Sequence, residues 1–196
     1  MSAQRIAIEN GGLLLFRDAF ATDAARLFAA LRDETAWERH VVKLFGRSVP
    51  APRLSAWHGE PGCVYRYSGT RYEPHPLTPL LAGIRARVED LSATRFNSVL
   101  LNLHRDGQDA MRWHSDDEPE LGPAPRVGSL SLGATRRFVL RARGDHAQKH
   151  SLDLPDGSLL LMEPPLQAHW QHALPRTRRA CGPRINLTWR WIAGAG

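Results

Sequence analysis

His114 and Asp116 stand two residues apart in the run Met111-Arg112-Trp113-His114-Ser115-Asp116-Asp117-Glu118. On an extended strand, residues i and i+2 point to one face. An imidazole and a carboxylate then converge on one point, which is two thirds of a facial metal triad. Two histidines and one carboxylate, with coordination positions left open, hold Fe(II) in sites that activate oxygen. Alone, a His-x-Asp pair is a weak signal, because such pairs are common on solvated surfaces. The third ligand must come from well downstream. His169 and His172, in Gln167-Ala168-His169-Trp170-Gln171-His172-Ala173-Leu174-Pro175, are the candidates. On a strand they face opposite sides, so only one of them points to the metal, and spacing does not choose between them.

A second chemical pattern follows. In Arg184-Ile185-Asn186-Leu187-Thr188-Trp189-Arg190, polar and apolar residues alternate. The plain interpretation is an amphipathic strand with its polar side in solvent. The sharper one is a barrel-lining face that offers two guanidiniums, an amide and a hydroxyl to a dicarboxylate. Arginine grips a carboxylate through a planar bidentate fork.

The elements that must position these groups are legible in outline. Ile6 to Phe16 reads as strand around the Asn10-Gly11-Gly12 turn. Thr22 or Asp23 caps a helix running to about Trp37, with Leu27, Phe28 and Leu31 on one face. Val41 to Tyr72, rich in Pro, Gly and aromatics, reads as loops and short strands outside the core scaffold. Thr78 caps a second helix with Pro79 at its first position and an apolar stripe of Leu80, Leu81, Ile84, Val88 and Leu91. From Asn97 onward come short strands: Ser98 to His104, Arg126 to Leu132, Arg137 to Arg143, Ser158 to Met162, His169 to Ala173 and Arg184 to Ile192. Two helices followed by many punctuated strands predict an α+β fold with a double-stranded β-helix (jelly-roll) core and the N-terminal helices packed on one sheet. One domain is expected over residues 1–196. Residues 1–96 would hold the N-terminal helices and a substrate-contacting region, and residues 97–192 the jelly-roll core.

Bulk properties narrow the setting. The chain has 196 residues, enough for a sizeable core. No secretory signal is visible, and no apolar run approaches the roughly 20 residues of a membrane span. Cys63 and Cys181 are far apart and carry no metal-binding spacing, which suits free thiols in a reducing cytoplasm. The formal charge of +6 suits a polyanionic partner. Nearly all of the basic residues are arginine, so a GC-rich genome would also produce such a balance.

Five segments together carry a resemblance. Asn102-Leu103-His104-Arg105-Asp106-Gly107, His114-Ser115-Asp116-Asp117-Glu118, Ser129-Leu130-Ser131-Leu132-Gly133, the His169 to Pro175 run and Pro183 to Arg190 occur in the order seen in the AlkB family, and the chain closely resembles that family over roughly Val41 to Ile192. These are Fe(II)- and 2-oxoglutarate-dependent nucleic-acid dealkylases. The acidic loop and the His-Trp-x-His-x-Leu-Pro run look most like the branch that acts on duplex DNA.

The resemblance implies His114, Asp116 and His172 as the catalytic iron ligands. It implies Asn102, His104, Arg184, Asn186, Thr188 and Arg190 as the cosubstrate wall, with a departure, since the family usually has tyrosine where this chain has His104. It implies Tyr65 and Tyr67 around a flipped base, Asp117 and Glu118 at its edge, and Phe45, in Leu44-Phe45-Gly46, as an apolar wedge. The implied activity is DNA repair by oxidative demethylation of 1-methyladenine and 3-methylcytosine. Fe(II), 2-oxoglutarate and O2 would be used, and formaldehyde, succinate and CO2 released. The expected partner is DNA, with RNA as a rival substrate, and the expected state is a cytoplasmic monomer away from membranes. Rival readings are an RNA or tRNA demethylase, an oxygenase for a protein or small molecule, and a non-catalytic binding module that kept the fold.

Overall fold

The computed structural model describes residues 2–44, 47–67 and 70–193. Strands β1 (Gln4–Ile8) and β2 (Gly11–Phe16) form a hairpin that turns through Asn10 at φ +52. Asparagine tolerates that left-handed conformation better than most residues do. Helix α1 (Ala24–Glu34) buries Ala24, Leu27 and Leu31. It stops three residues short of Trp37, because Thr35 is extended and caps it through a bond to the Leu31 carbonyl. Asp23 sits at the N-cap without capping; its carboxylate pairs with Arg26 and Arg87. Short strands follow: β3 (Val41–Leu44), β4 (Arg47–Pro50), β5 (Leu54–Gly59), β6 (Tyr65–Tyr67), β7 (Thr70–Tyr72) and β8 (His75–Pro76).

Helix α2 (Pro79–Ser92) begins as its sequence dictates. The Thr78 hydroxyl accepts the Leu81 N–H at 3.2 Å, and Pro79 opens the first turn. Leu81, Ile84 and Val88 are buried. The second half is strands: β9 (Ser98–His104), β10 (Met111–His114), β11 (Val127–Gly133), β12 (Arg136–Ala142), β13 (Lys149–Leu154) and β14 (Ser158–Glu163). Then come the single turn α3 (Leu166–His169), β15 (Trp170–Leu174) and β16 (Arg184–Arg190).

Two sheets make the sandwich. The larger runs β1-β2-β14-β11-β16-β9-β5-β8, and the smaller runs β10-β15-β12-β13. Alternation along each strand assigns its two faces to different partners. From β14, Leu159 and Leu161 join α1 and α2 in one cluster, while Leu160 and Met162 join Phe138 and Leu140 of the smaller sheet in another. Both faces of the central strands are therefore covered, which explains the near-continuous apolar run of β14 and the burial of β11 from Val127 to Leu132. In β16, Ile185, Leu187 and Trp189 lie in the helix-side cluster. Arg184, Asn186, Thr188 and Arg190 thus face the space between the sheets. The helices cover one side of the larger sheet, and the jelly-roll expectation holds.

Three expectations need correction. β5 is core scaffold, paired along its length with β9, with Ala56 and Trp57 buried. The flanking prolines and Gly59 disguise it as loop. β13 carries a polar Lys-His-Ser-Leu-Asp-Leu sequence because it is an edge strand with most of its side chains exposed, so no apolar alternation announces it. The division near residue 96 separates no layers, since β1, β2, β5 and β8 extend the same sheet as β9, β11, β14 and β16.

Candidate metal centre and its two cavities

The two ligand-bearing strands meet in the smaller sheet. His114, the last residue of β10, lies opposite His172 of β15, and their ring centroids are 4.2 Å apart. Asp116 lies beyond the end of β10, so the strand alternation expected to bring it beside His114 does not operate. A turn and side-chain contacts bring it there instead. One ligand atom from each of His114, Asp116 and His172 falls within 4.8 Å of the others. His172 Nε2 is 3.5 Å from Asp116 Oδ2. His169 closes α3, and its backbone carbonyl accepts from Arg143 N–H. His172 is thus the residue at the centre.

The protonation states suit a cation. His114 Nδ1 is 2.7 Å from the Arg112 carbonyl. A carbonyl only accepts, so Nδ1 carries the proton and the Nε2 lone pair remains for a metal. Burial would raise the Asp116 carboxyl, but Arg190, His172 and His114 outweigh it and hold it at about 2. Arg190 is the strongest of these: Nε donates to Asp116 Oδ1 at 3.0 Å, and Nη2 donates to the same oxygen. Burial and the charge of His114 push His172 down to about 3 against the pull of Asp116, which leaves the imidazole neutral. Asp116 Oδ2 is buried with no hydrogen-bond partner among the described residues. Two imidazole nitrogens and one carboxylate oxygen fit a divalent cation with positions to spare.

One cavity holds the polar face of β16. It is lined by His104, His114, Ser129, His172, Arg184, Asn186, Thr188 and Arg190 with four apolar neighbours and Met111. Arg184 is 3% exposed, and its Nη2 donates to Ser131 Oγ at 2.8 Å while Nε has no partner among the described residues. Burial, then Arg136, pushes its pKa down to about 9. Arg136 is equally buried and donates to the carbonyls of Asp106, Asp109 and Pro175. Neither guanidinium forms an ion pair among the described residues, so Arg184 brings its positive charge to the pocket without a fixed counter-anion. His104 faces Arg184 across the β9–β16 register, 2% exposed, with both ring nitrogens unpartnered among the described residues. Burial, then Arg184, Arg53 and Arg136, drive its pKa well below the usual imidazole value. Asn102 is fully buried; its Oδ1 accepts from Arg53 Nε at 2.7 Å and its Nδ2 has no partner among the described residues. Asn186 is internally satisfied: Nδ2 donates to Ser129 Oγ at 2.8 Å and Oδ1 accepts from Thr188 Oγ1 at 3.0 Å. A cationic pocket with orphaned donors fits a dicarboxylate such as 2-oxoglutarate.

The second cavity is larger, about 790 Å³, and is walled by Arg53, Trp57, Leu100, Trp113, Glu118, Val139 and residues near them. His114, Met111, Ala173, Leu174 and Arg190 line both cavities, so the triad stands between them. Glu118 lines this wall, whereas Asp117 turns outward to Arg143 at 2.8 Å. Phe45 lies outside the described residues, as do the side chains of Tyr65 and Tyr67, whose backbone forms β6. Sequence reasoning missed Arg53, Trp57, Arg136 and Gln167. No local spacing marks them; Arg53, Arg136 and Gln167 act through contacts distant in sequence.

Comparison with known proteins agrees with this geometry. The 2OG-Fe(II) oxygenase superfamily matches residues 12–190. Alpha-ketoglutarate-dependent dioxygenase alkB homolog 3 of Mus musculus is 42% identical over 154 residues, covering 74% of this chain and 53% of that protein. The Homo sapiens counterpart is 43% identical over 150 residues, covering 72% and 52%. DNA oxidative demethylase ALKBH2 of Mus musculus is 37% identical over 180 residues, covering 87% and 75%. The chain spans about half the length of the two alkB homolog 3 proteins. The solved structure of OsALKBH1 shares the fold, with a TM-score of 0.69 at 14% identity over 94% of this chain and 100% of that one. The matched superfamily takes Fe(II) and 2-oxoglutarate, which the donor sets of the two sites accommodate. With a triad of the right donors, a cationic pocket beside it and these relatives across most of its length, the chain belongs to the AlkB family of 2OG-Fe(II) oxygenases.

Proposed function

We propose that the protein is a dioxygenase that demethylates N-alkylated nucleic-acid bases, with DNA as the principal substrate and 1-methyladenine and 3-methylcytosine as lesions. The observation that carries it is the position of the triad between a cationic, carboxylate-sized pocket and a second cavity of about 790 Å³. That volume lies in the range of pockets for drug-sized ligands and has room for a flipped base. When bound, iron with 2-oxoglutarate and O2 supplies oxidation of the N-methyl group to N-hydroxymethyl, which leaves as formaldehyde while the cosubstrate becomes succinate and CO2.

The chain's own residues bind, orient and exclude water. His114, Asp116 and His172 hold the metal. Arg190 keeps the carboxylate ionised and aimed. Arg184 takes the far carboxylate of the cosubstrate, with Thr188 and Asn102 beside it and Asn186 bracing Thr188. Trp57 and Trp113 wall the base cavity, and Glu118 stands where it can accept from an exocyclic amino group. Asp117 reaches the base only by leaving Arg143. A reducing, cytoplasmic setting accompanies this reading, supported by the two free cysteines. No helix among the described residues is long and apolar enough to cross a membrane.

His104 stands in this proposal as a neutral donor to the far carboxylate. Three arginines already crowd it, so the imidazole stays unprotonated and offers one N–H. A hydrogen bond to a charged group contributes about 1.5–3 kcal/mol. His104→Phe should therefore weaken 2-oxoglutarate binding to the Mn(II)-loaded protein by roughly 10- to 150-fold. Pyruvate, which lacks the far carboxylate, should bind the variant as it binds wild type. Equal losses for both ligands would assign His104 to packing alone.

The net charge of +6 makes a second claim. If phosphates are neutralised on binding, log affinity for an oligonucleotide falls with log salt by about 0.9 per contact on duplex DNA. A fluorescence-anisotropy titration between low and physiological salt should show a steep fall. A flat response would remove the nucleic-acid backbone from the account. Running methylated duplex DNA, single-stranded DNA and RNA side by side ranks the substrates.

A further inference from the structure

Asp116 raises a structural question, because the sheet does not hold it. β10 and β15 are in register at two positions, Met111 with Leu174 and His114 with His172, with an irregularity between them. Backbone pairing thus fixes one imidazole against the other and leaves the carboxylate beyond the end of the ladder. The contacts that place it come largely from one short segment, residues 167–170, just ahead of His172. Gln167 Oε1 accepts the backbone N–H of Asp116 at 2.9 Å. Ser115 Oγ donates to the Trp170 carbonyl at 2.9 Å. Arg143 bridges the outer side: Nη1 lies 2.8 Å from Asp117 Oδ2 and 3.4 Å from the Gln167 carbonyl that it also serves. Gln167 is 2% exposed, and its Nε2 rests on Met162 Sδ at 3.5 Å, so the side chain spans from β14 to the ligand loop.

We infer that Gln167 is a positioning residue for the metal site. With Ser115 and Arg143 it straps residues 115–118 to the segment leading into His172. The carboxylate and the second imidazole are then held at chelating distance before a metal arrives. The division of labour is clean: Arg190 orients the carboxylate end of Asp116, and Gln167 anchors its backbone end. Chelation by a preformed site avoids the ordering cost that a loose loop would pay on binding. Partners that orient metal ligands typically contribute about 10- to 100-fold in metal affinity. Glutamine suits the post because it has the length to cross the gap and an acceptor at its end. Its amide brings no charge next to Asp116.

This inference rests on the assignment of His114, Asp116 and His172 as ligands, and the experiment separates the two. Co(II) is titrated into the metal-free full chain and followed by its visible ligand-field bands. Wild type binds one ion, and Asp116→Ala loses it; if either fails, the ligand assignment falls and the strap with it. Gln167→Met keeps the shape and removes the oxygen. It should weaken Co(II) binding about 10- to 100-fold and alter the bands, with the melting temperature of the metal-free protein changed far less than that of the Co(II)-loaded one. Gln167→Glu, which keeps an acceptor but brings a charge beside Asp116, should recover part of the affinity. Wild-type affinity and an unchanged spectrum in Gln167→Met would overturn the inference. Should that variant fail to fold, Ser115→Ala with Arg143→Gln removes the other two ties at a more exposed place. A loss of affinity in that double variant supports the strap, and wild-type binding overturns it.

Discussion

Asp116→Ala is expected to lose both metal and turnover. Removing groups that merely orient a ligand costs about 10- to 100-fold in metal affinity, so deleting a ligand itself costs at least roughly 100-fold. A second consequence is specific to this structure. Arg190 is buried, and Asp116 Oδ1 accepts two of its hydrogen bonds. Deleting the carboxylate strips the guanidinium of that partner in the interior, and breaking such a buried pair costs about 3–5 kcal/mol. Asp116→Ala should therefore also lower the melting temperature of the metal-free protein. His172→Ala is the contrast. It removes a ligand that is already neutral, so metal binding is lost without the same charge penalty. Calorimetry of the two metal-free variants, beside metal titrations, separates the effects. Full 2-oxoglutarate turnover in either variant contradicts the triad.

Arg184→Met should have the next largest effect, in opposite directions on function and stability. Losing one partner of a buried, hydrogen-bonded charge pair costs about 2–5 kcal/mol in binding. The affinity of the Mn(II)-loaded protein for 2-oxoglutarate should fall by roughly 30-fold or more, with Mn(II) affinity itself unchanged. In the protein without cosubstrate, burial penalises the charged form of Arg184, and Arg136 adds repulsion. An apolar side chain of similar volume removes that penalty. The variant should accordingly melt at the same temperature as wild type or above it, which is the pattern of a residue kept for function at a cost to the fold. A large fall in melting temperature with intact 2-oxoglutarate binding would assign Arg184 to structure.

Particular residues show how much of this could be seen in the chain. The Thr78-Pro79 start of α2 and the full extent of β9 were legible because caps and alternation are local signals. The polar face of β16 was legible as a pattern. Its direction, into the space between the sheets rather than to solvent, follows from α1 and α2 covering the opposite face. His114 and Asp116 stood out by their spacing and His172 only through the family resemblance, but the way Asp116 reaches its place was not legible. The sequence suggests a strand through His114 and Asp116, whereas the strand stops at His114 and Gln167, Ser115 and Arg190 do the placing. Arg53 reaches Asn102 across 49 positions. Such contacts depend on which strands become neighbours, and no short window of sequence carries that information. β13 stayed hidden for a different reason: an edge strand facing solvent has no apolar face to display.

The central claim is that a metal site opening on one side to a dicarboxylate and on the other to a base performs oxidative demethylation. Its most direct measurement is the yield of formaldehyde, with succinate counted in parallel, from oligonucleotides carrying 1-methyladenine or 3-methylcytosine, with Fe(II) and 2-oxoglutarate supplied. The account predicts formaldehyde and succinate in equal amounts, loss of the methyl group from the base, and none of these with Asp116→Ala. Succinate formed at the same rate with and without the methylated base, and no formaldehyde from any oligonucleotide, would contradict it.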